Sequence, residues 1–249
     1  MKEVLLRPED IHNGNLILIN KNHPIRINEK HIIENLEPID DNHSEHLVNK
    51  RVANILKRIL NDIGSEGRIV PVSGFRSKKE QADLYDSSIT ENGIEFTQKF
   101  VAKPDESEHQ SGLAIDLGEN KSEIDFICPD FPYYGIFNEF REAAIQDGFI
   151  ERYKESKENI TGISKEPWHF RFIGFPHSAI IEEKELALEE YHEFIKNYDT
   201  LEKAFKYKNY RIFYVKLMED EKYIYLEDDI EFDVSGNNID GFIFTLYNK

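Results

Sequence analysis

From Leu47 to Ile63 the apolar residues fall at positions 47, 48, 52, 55, 56, 59, 60 and 63. Steps of three and four gather them on one face, which predicts an amphipathic helix, and Gly64 offers its stop. Upstream, the run NLILI at 15–19 is apolar throughout and precedes an X-Pro segment, which predicts a strand running into extended chain. Arg68 to Phe75 predicts a second strand, demoted by Pro71 to a sheet edge or a bulge. Ser77 and Glu80 stand at capping-box spacing, so a helix is expected from Lys78 through Leu84 and Tyr85. Two short apolar segments, Leu113–Leu117 and Trp168–Ile173, suit strands, and Phe137–Gln146 suits a helix ending near Gly148.

The pattern changes after Ser178. A highly charged helix over about 179–196 is followed by strand-like runs at 210–218, 222–227 and 241–247. Two domains are therefore expected, residues 1–195 and a small α+β module over 196–249. Within the second, Glu219 to Asp233 holds eight acids and one lysine, a local net charge of −7, which reads as a solvated loop and edge strand kept from aggregating by charge.

Composition narrows the functional classes. The formal charge of −17 over 249 residues argues against a nucleic-acid binder and against docking on an anionic membrane. A lone cysteine, Cys128, excludes an internal disulfide and a thiolate zinc site, and with no histidine nearby it reads as a small buried apolar residue. The opening MKEVLLRPED lacks a signal-peptide core and no segment approaches membrane-spanning length, so a soluble cytoplasmic protein is expected.

The chemistry concentrates in Ser107-Glu-His109-Gln-Ser-Gly112-Leu-Ala114-Ile-Asp116 and in Glu166-Pro-Trp168-His169. His109 and Asp116 are too far apart for one helical turn, but a turn at Gly112 before a short strand would bring them together. His169 could supply a third ligand from a distant strand. Two imidazoles and a carboxylate suit a zinc ion that keeps an open position, and a carboxylate at Glu166 would then lie within reach as a general base. Nothing in these spacings forces convergence, in contrast to a helical HEXXH. The seven remaining histidines, at 12, 23, 31, 43, 46, 177 and 192, read as surface or capping residues.

Three separated motifs carry a resemblance. The Ser-x-His-x-x-Gly-x-Ala-x-Asp run from Ser107 to Asp116, the Glu-Pro-Trp-His run at 166–169, and Ser73-Gly-Phe-Arg76-Ser77 with Glu80-Gln81 and Leu84-Tyr85 resemble the zinc D,D-peptidases of the VanY, VanX and VanXY group, nearest to the soluble VanXY type. The resemblance covers about the first 175 to 195 residues. It implies an α+β fold with an antiparallel sheet and flanking helices, the D,D-peptidase/hedgehog-like zinc fold. It also implies one Zn²⁺ per chain, held by His109, Asp116 and His169, with Glu166 as catalytic base and Arg76 steadying the oxyanion. Ser107, Gln81 and Trp168 become substrate-binding candidates, the last as a pocket wall. The implied substrates are the D-Ala-D-Ala dipeptide and the peptidoglycan precursor pentapeptide, an activity that would support vancomycin resistance. A peptidoglycan L-Ala-D-Glu or L,D-endopeptidase and a non-catalytic ligand-binding relative stand as alternatives. The acidic, non-repetitive tail speaks against a wall-binding lysin.

Overall fold

A computed structural model describes residues 1–217 and 220–247. The chain divides into two compact units, Ile19–Ala187 and a second built from Met1–Leu18 with Leu188–Lys249. This differs from the boundary expected at 195/196. The first eighteen residues join the C-terminal module, because the strand they form finds its partner there.

In chain order the strands are β1 (Lys2–Leu6), β2 (Leu36–Pro38), β3 (Leu47–Asn49), β4 (Ile69–Ser73), β5 (Ala114–Glu119), β6 (Phe149–Tyr153), β7 (Glu166–Phe172), β8 (Phe205–Tyr207), β9 (Tyr210–Lys216), β10 (Lys222–Leu226), β11 (Glu231–Gly236) and β12 (Gly241–Tyr247). All their pairings are antiparallel. Together with the helices they make the expected α+β fold.

The Ile19–Ala187 unit is organised by a four-stranded sheet in the order β4-β5-β7-β6. Pro71 lies on its edge strand β4, where the register shifts before Ser73, as its missing N–H requires. The apolar periodicity beginning at Leu47 belongs to two elements. Leu47 and Val48 pair with Pro38 and Glu37 as β3, and the helix starts only at Lys50, with Asn49 capping the Arg51 N–H. That helix buries Val52, Ala53, Leu56 and Ile59 and ends as Gly64 turns into the left-handed region. A second helix, Ile136–Gln146, lays Phe140 edge-on against Phe170 of β7, ring centroids 5.0 Å apart. The helix Lys78–Asn92 begins with the expected reciprocal capping box between Ser77 and Glu80.

In the other unit, β11-β12-β9-β8 form a sheet whose apolar face buries Phe213, Phe242, Phe244 and Leu246, while β1 pairs with β10. The run at 15–19 is buried but is no strand. Its backbone groups are satisfied by Ser235 Oγ at Leu16, the Asn237 carbonyl at Leu18 N and the Asn238 amide at Leu18 O. The charged helix expected over 179–196 is broken into His177–Glu183 and Leu188–Ile195, with Glu185 in a left-handed turn between them. The acidic stretch folds largely as β10 and the edge strand β11, with Leu226 and Ile230 buried. Two positions assigned from the sequence, Met218 at the end of the 210–218 strand and Glu219 in the acidic run, lie outside the described residues. His177 and His192, expected at the surface, are buried.

Removing one half of the capping box with Ser77→Ala should cost about 1 kcal/mol. The expected readout is a lower urea midpoint at an unchanged m-value.

Candidate active site

Two strands set the geometry. Asp116 of β5 lies directly across from His169 of β7 in the antiparallel register, so the cross-strand pair brings a carboxylate and an imidazole together from positions 53 residues apart. His109 arrives on the short turn Glu108–Ser111, which Gly112 ends at φ +70° before β5 begins. A side chain at that φ would be strained, so glycine makes the turn that the spacing of His109 and Asp116 demands.

One ligand atom from each of His109, Asp116 and His169 lies within 4.8 Å of the others. His109 Nε2 is 3.1 Å from Asp116 Oδ2, and His169 Nδ1 is 2.9 Å from Asp116 Oδ1. The outer ring nitrogens are also committed. His109 Nδ1 donates to the Gly74 carbonyl at 2.7 Å, and His169 Nε2 donates to Glu108 Oε2 at 3.3 Å. Both imidazoles are thereby oriented so that the nitrogen facing Asp116 is the one offered to a metal, the arrangement that second-shell partners produce around zinc. All three residues are buried. The donor set and its supporting bonds fit a zinc ion with an open coordination position.

Glu166, at the start of β7, is buried with Oε2 3.8 Å from His169 Nδ1. Burial pushes its carboxyl up to about 8, and the nearby Asp116 carboxylate adds to this, so it can take up and return a proton near neutral pH. Burial lowers His109 to about 4, aided by the Arg76 charge, which keeps it neutral as a ligand must be. For His169 burial works against the charged ring, but hydrogen bonds to Asp116 and Glu108 lift it to about 9; metal uptake would displace that proton. Burial also opposes the Asp116 carboxylate, yet His109 and His169 hold it well below the usual range.

Arg76 completes the cavity. Its Nε donates to Gln81 Oε1 at 2.8 Å, one guanidinium nitrogen donates to Ser73 Oγ at 2.5 Å, and the same nitrogen is 3.8 Å from Asp116 Oδ2. Ser107 and Trp168 also line the cavity, alongside Tyr153, whose ring centroid is 4.9 Å from that of His169. Gln81 does not. It is fully buried, and its other amide end donates to the Ala102 carbonyl, so it braces Arg76 from behind where a contact to substrate was expected. Cys128 is half-buried, not buried, and desolvation with nearby Asp125 pushes its thiol up to about 12, which leaves it no nucleophile.

Glu108 is the residue that the motif reading passed over. Its carboxylate is buried, with Oε1 accepting 2.9 Å bonds from both Arg152 and Arg171 while Oε2 takes the His169 bond. The signal lay in the strands: an arginine inside the aromatic run WHFRF cannot be buried without an acid to meet it.

The antiparallel α+β fold and a buried His/Asp/His set beside a proton-accepting carboxylate define a metallopeptidase type of centre. The family model described as "VanY: D-alanyl-D-alanine carboxypeptidase" matches residues 45–175, and the chain belongs to this family. It is 45% identical over 183 residues, 72% of this chain and 94% of the other, to the bifunctional D-Ala-D-Ala dipeptidase and D-Ala-D-Ala carboxypeptidase VanXYC of Enterococcus gallinarum. The crystal structure of the vancomycin resistance D,D-dipeptidase VanXYg in complex with a D-Ala-D-Ala phosphinate analogue matches with TM-score 0.95 at 47% identity, covering 99% of each chain. A mutant of the D,D-pentapeptidase VanY from the VanB-type resistance cassette, solved with Zn(II), matches with TM-score 0.58 at 28% identity, covering 72% of this chain and 98% of that one.

Glu108→Gln should leave two buried guanidiniums facing a neutral amide and cost about 3–5 kcal/mol in urea unfolding. The two arginines hold the Glu108 carboxyl far below its ordinary value against the cost of burial. Its contribution is therefore complete above the unfolded pKa, about 4.3, and fades as pH falls below it. The stability gap between wild type and variant should narrow accordingly between pH 7 and pH 3.

Proposed function

We propose that the protein is a zinc D,D-peptidase that hydrolyses D-Ala-D-Ala and also trims the terminal D-Ala from the cytoplasmic peptidoglycan precursor pentapeptide, in support of vancomycin resistance. The observation that carries this reading is the placement of Glu166 beside the His109–Asp116–His169 set with Arg76 lining the same cavity. The 45% identity to a bifunctional D,D-dipeptidase and carboxypeptidase supports the substrate class. Among the described residues, no helix is long and apolar enough to cross a membrane. We assign the chemistry to the Ile19–Ala187 unit, which contains every one of these residues.

His109, Asp116 and His169 would hold one zinc per chain. When bound, zinc polarises a carbonyl and lowers the pKa of water. Glu166 removes the proton from the attacking water and, once protonated, hands it to the leaving amine of the terminal D-Ala. Burial raises its pKa, which favours the protonated form that donates to the leaving amine. Arg76, fixed by Gln81 and Ser73, meets the carbonyl oxygen as negative charge develops on it, and a guanidinium already held in place needs no reorganisation at that moment. Tyr153 and Trp168 contribute, with Phe100 and Phe126, to the cavity's aromatic lining. Ser107 contributes a hydroxyl for the polar ends of the dipeptide.

The direct test measures D-Ala release from D-Ala-D-Ala, D-Ala-D-Ser and the pentapeptide precursor. Release from the first and third supports the proposal, while cleavage of an L,D-bond alone would overturn it. Glu166→Ala should keep about one zinc per chain yet lose about 10²–10⁴-fold in kcat, whereas His169→Ala should lose metal and activity together. Zinc loss in Glu166→Ala would recast that residue as a ligand.

Arg76→Lys keeps the charge but not the fork that reaches Gln81 and Ser73 together. Its kcat should fall more than its KM rises, because the contact strengthens in the transition state. A pure KM effect would place Arg76 on a substrate carboxylate.

A further inference from the structure

Glu166 sits at the least supported end of its strand. The β5–β7 register ends at Asp116↔His169, and β6 meets β7 near the base only through Tyr153↔Glu166, beyond a register shift at Glu151/Tyr153. The next residue, Pro167, has no N–H to give the ladder. The sheet therefore holds His169 firmly and holds Glu166 weakly.

Arg141 supplies what the ladder omits. It lies on the helix Ile136–Gln146, nine-tenths buried, and all five of its N–H donors are used. One guanidinium nitrogen donates to the Pro167 carbonyl at 2.9 Å and to the Phe131 carbonyl at 2.9 Å. The other donates to Pro132 O at 2.6 Å and to Phe137 O at 3.3 Å, and Nε donates to Glu151 Oε2 at 2.8 Å. The guanidinium plane also lies over the Tyr133 ring, 4.0 Å from its centroid. One side chain thus joins the helix, β6, the backbone of Pro167 next to Glu166, and the end of the loop whose Phe126 and Ile127 line the active-site cavity.

We propose that Arg141 is a positioning residue for the reaction. Through the carbonyl of Pro167 it fixes the residue that follows Glu166 on the strand, and through Phe131 and Pro132 it fixes the cavity's loop wall to the same anchor. It touches neither substrate nor metal ligand. A general base displaced by a fraction of an ångström loses its alignment with the attacking water, and a displacement of about 1 Å can cost about 10²-fold. An ammonium at this place could keep the Glu151 pair but could not span four carbonyls.

The inference rests on the peptidase reading, and wild-type D-Ala release from D-Ala-D-Ala tests that reading first and separately. In the zinc-loaded full chain, Arg141→Lys should retain metal and a cooperative melt. Its kcat should fall about 10–100-fold with KM changed less than about threefold. In a Glu166→Ala background the same substitution should have almost no further effect, since residues acting as a unit are not additive. An equal loss in both backgrounds, a loss that follows zinc content, or full activity would overturn the proposal. Should Arg141→Lys fail to fold, Glu151→Gln keeps the arginine but loosens its Nε; it should lower kcat in the Glu166 enzyme and be silent in Glu166→Ala. Unchanged kcat in that variant, or the same loss in both backgrounds, would equally overturn it.

Discussion

The buried imidazole of His169 is gripped from both sides by carboxylates, Asp116 at Nδ1 and Glu108 at Nε2. That double contact sets the demands on everything around it. Two carboxylates cannot be buried side by side without compensation. Arg152 and Arg171 meet Glu108, and Arg76 lies close to Asp116. The strands β5, β6 and β7 each contribute to this network, so the register that aligns Asp116 with His169 also buries the arginines where the acids need them. A one-residue slip of β7 would turn both His169 and Arg171 to the opposite face. The candidate metal centre and the sheet are therefore a single construction.

Much of the candidate site was legible in the chain because its groups are held by local devices. The left-handed turn at Gly112, the capping box at Ser77 and the edge proline at position 71 each have a sequence signature, and each stands where that signature places it. The convergence of His109, Asp116 and His169 was different. It depends on a cross-strand pairing that no spacing encodes, and the motif resemblance, not the periodicity, made it expected. Gln81 shows the limit of motif reading, because a motif fixes neighbourhood but not facing. Glutamine at that helix position bonds backward to Arg76 and Ala102 and so serves the site without lining it.

The misread elements have different physical causes. The apolar run at 15–19 has strand composition, yet its polar groups are met by Ser235, Asn237 and Asn238, more than two hundred residues away, and no ladder is needed. Leu47 and Val48 continue the helical periodicity but pair with Pro38 and Glu37, since burial on a sheet and burial on a helix ask for the same apolar residues. The N-terminal strand β1 alternates only weakly, and its partner β10 lies in the most acidic stretch of the chain. That partner strand was expected over 222–227 and forms there, with its inward residue Leu226 buried, whereas β1 itself went unread.

The overall charge of −17 gives the proposed chemistry a second layer of selection. A zwitterionic dipeptide carries no net charge and approaches such a surface without long-range repulsion, whereas a phosphate-bearing precursor must approach against the field. Inside the cavity the balance is local: Arg76 offers positive charge beside the carboxylates of Asp116 and Glu166. Burial strengthens that field relative to water, so the few groups around the scissile bond outweigh the many acids on the surface once a substrate has entered. On the proposed function, the surface would act on which substrate arrives and how fast, and the cavity on what is cleaved. Separating the two would let a strongly acidic chain keep the proposed site, in which Arg76 steadies developing negative charge.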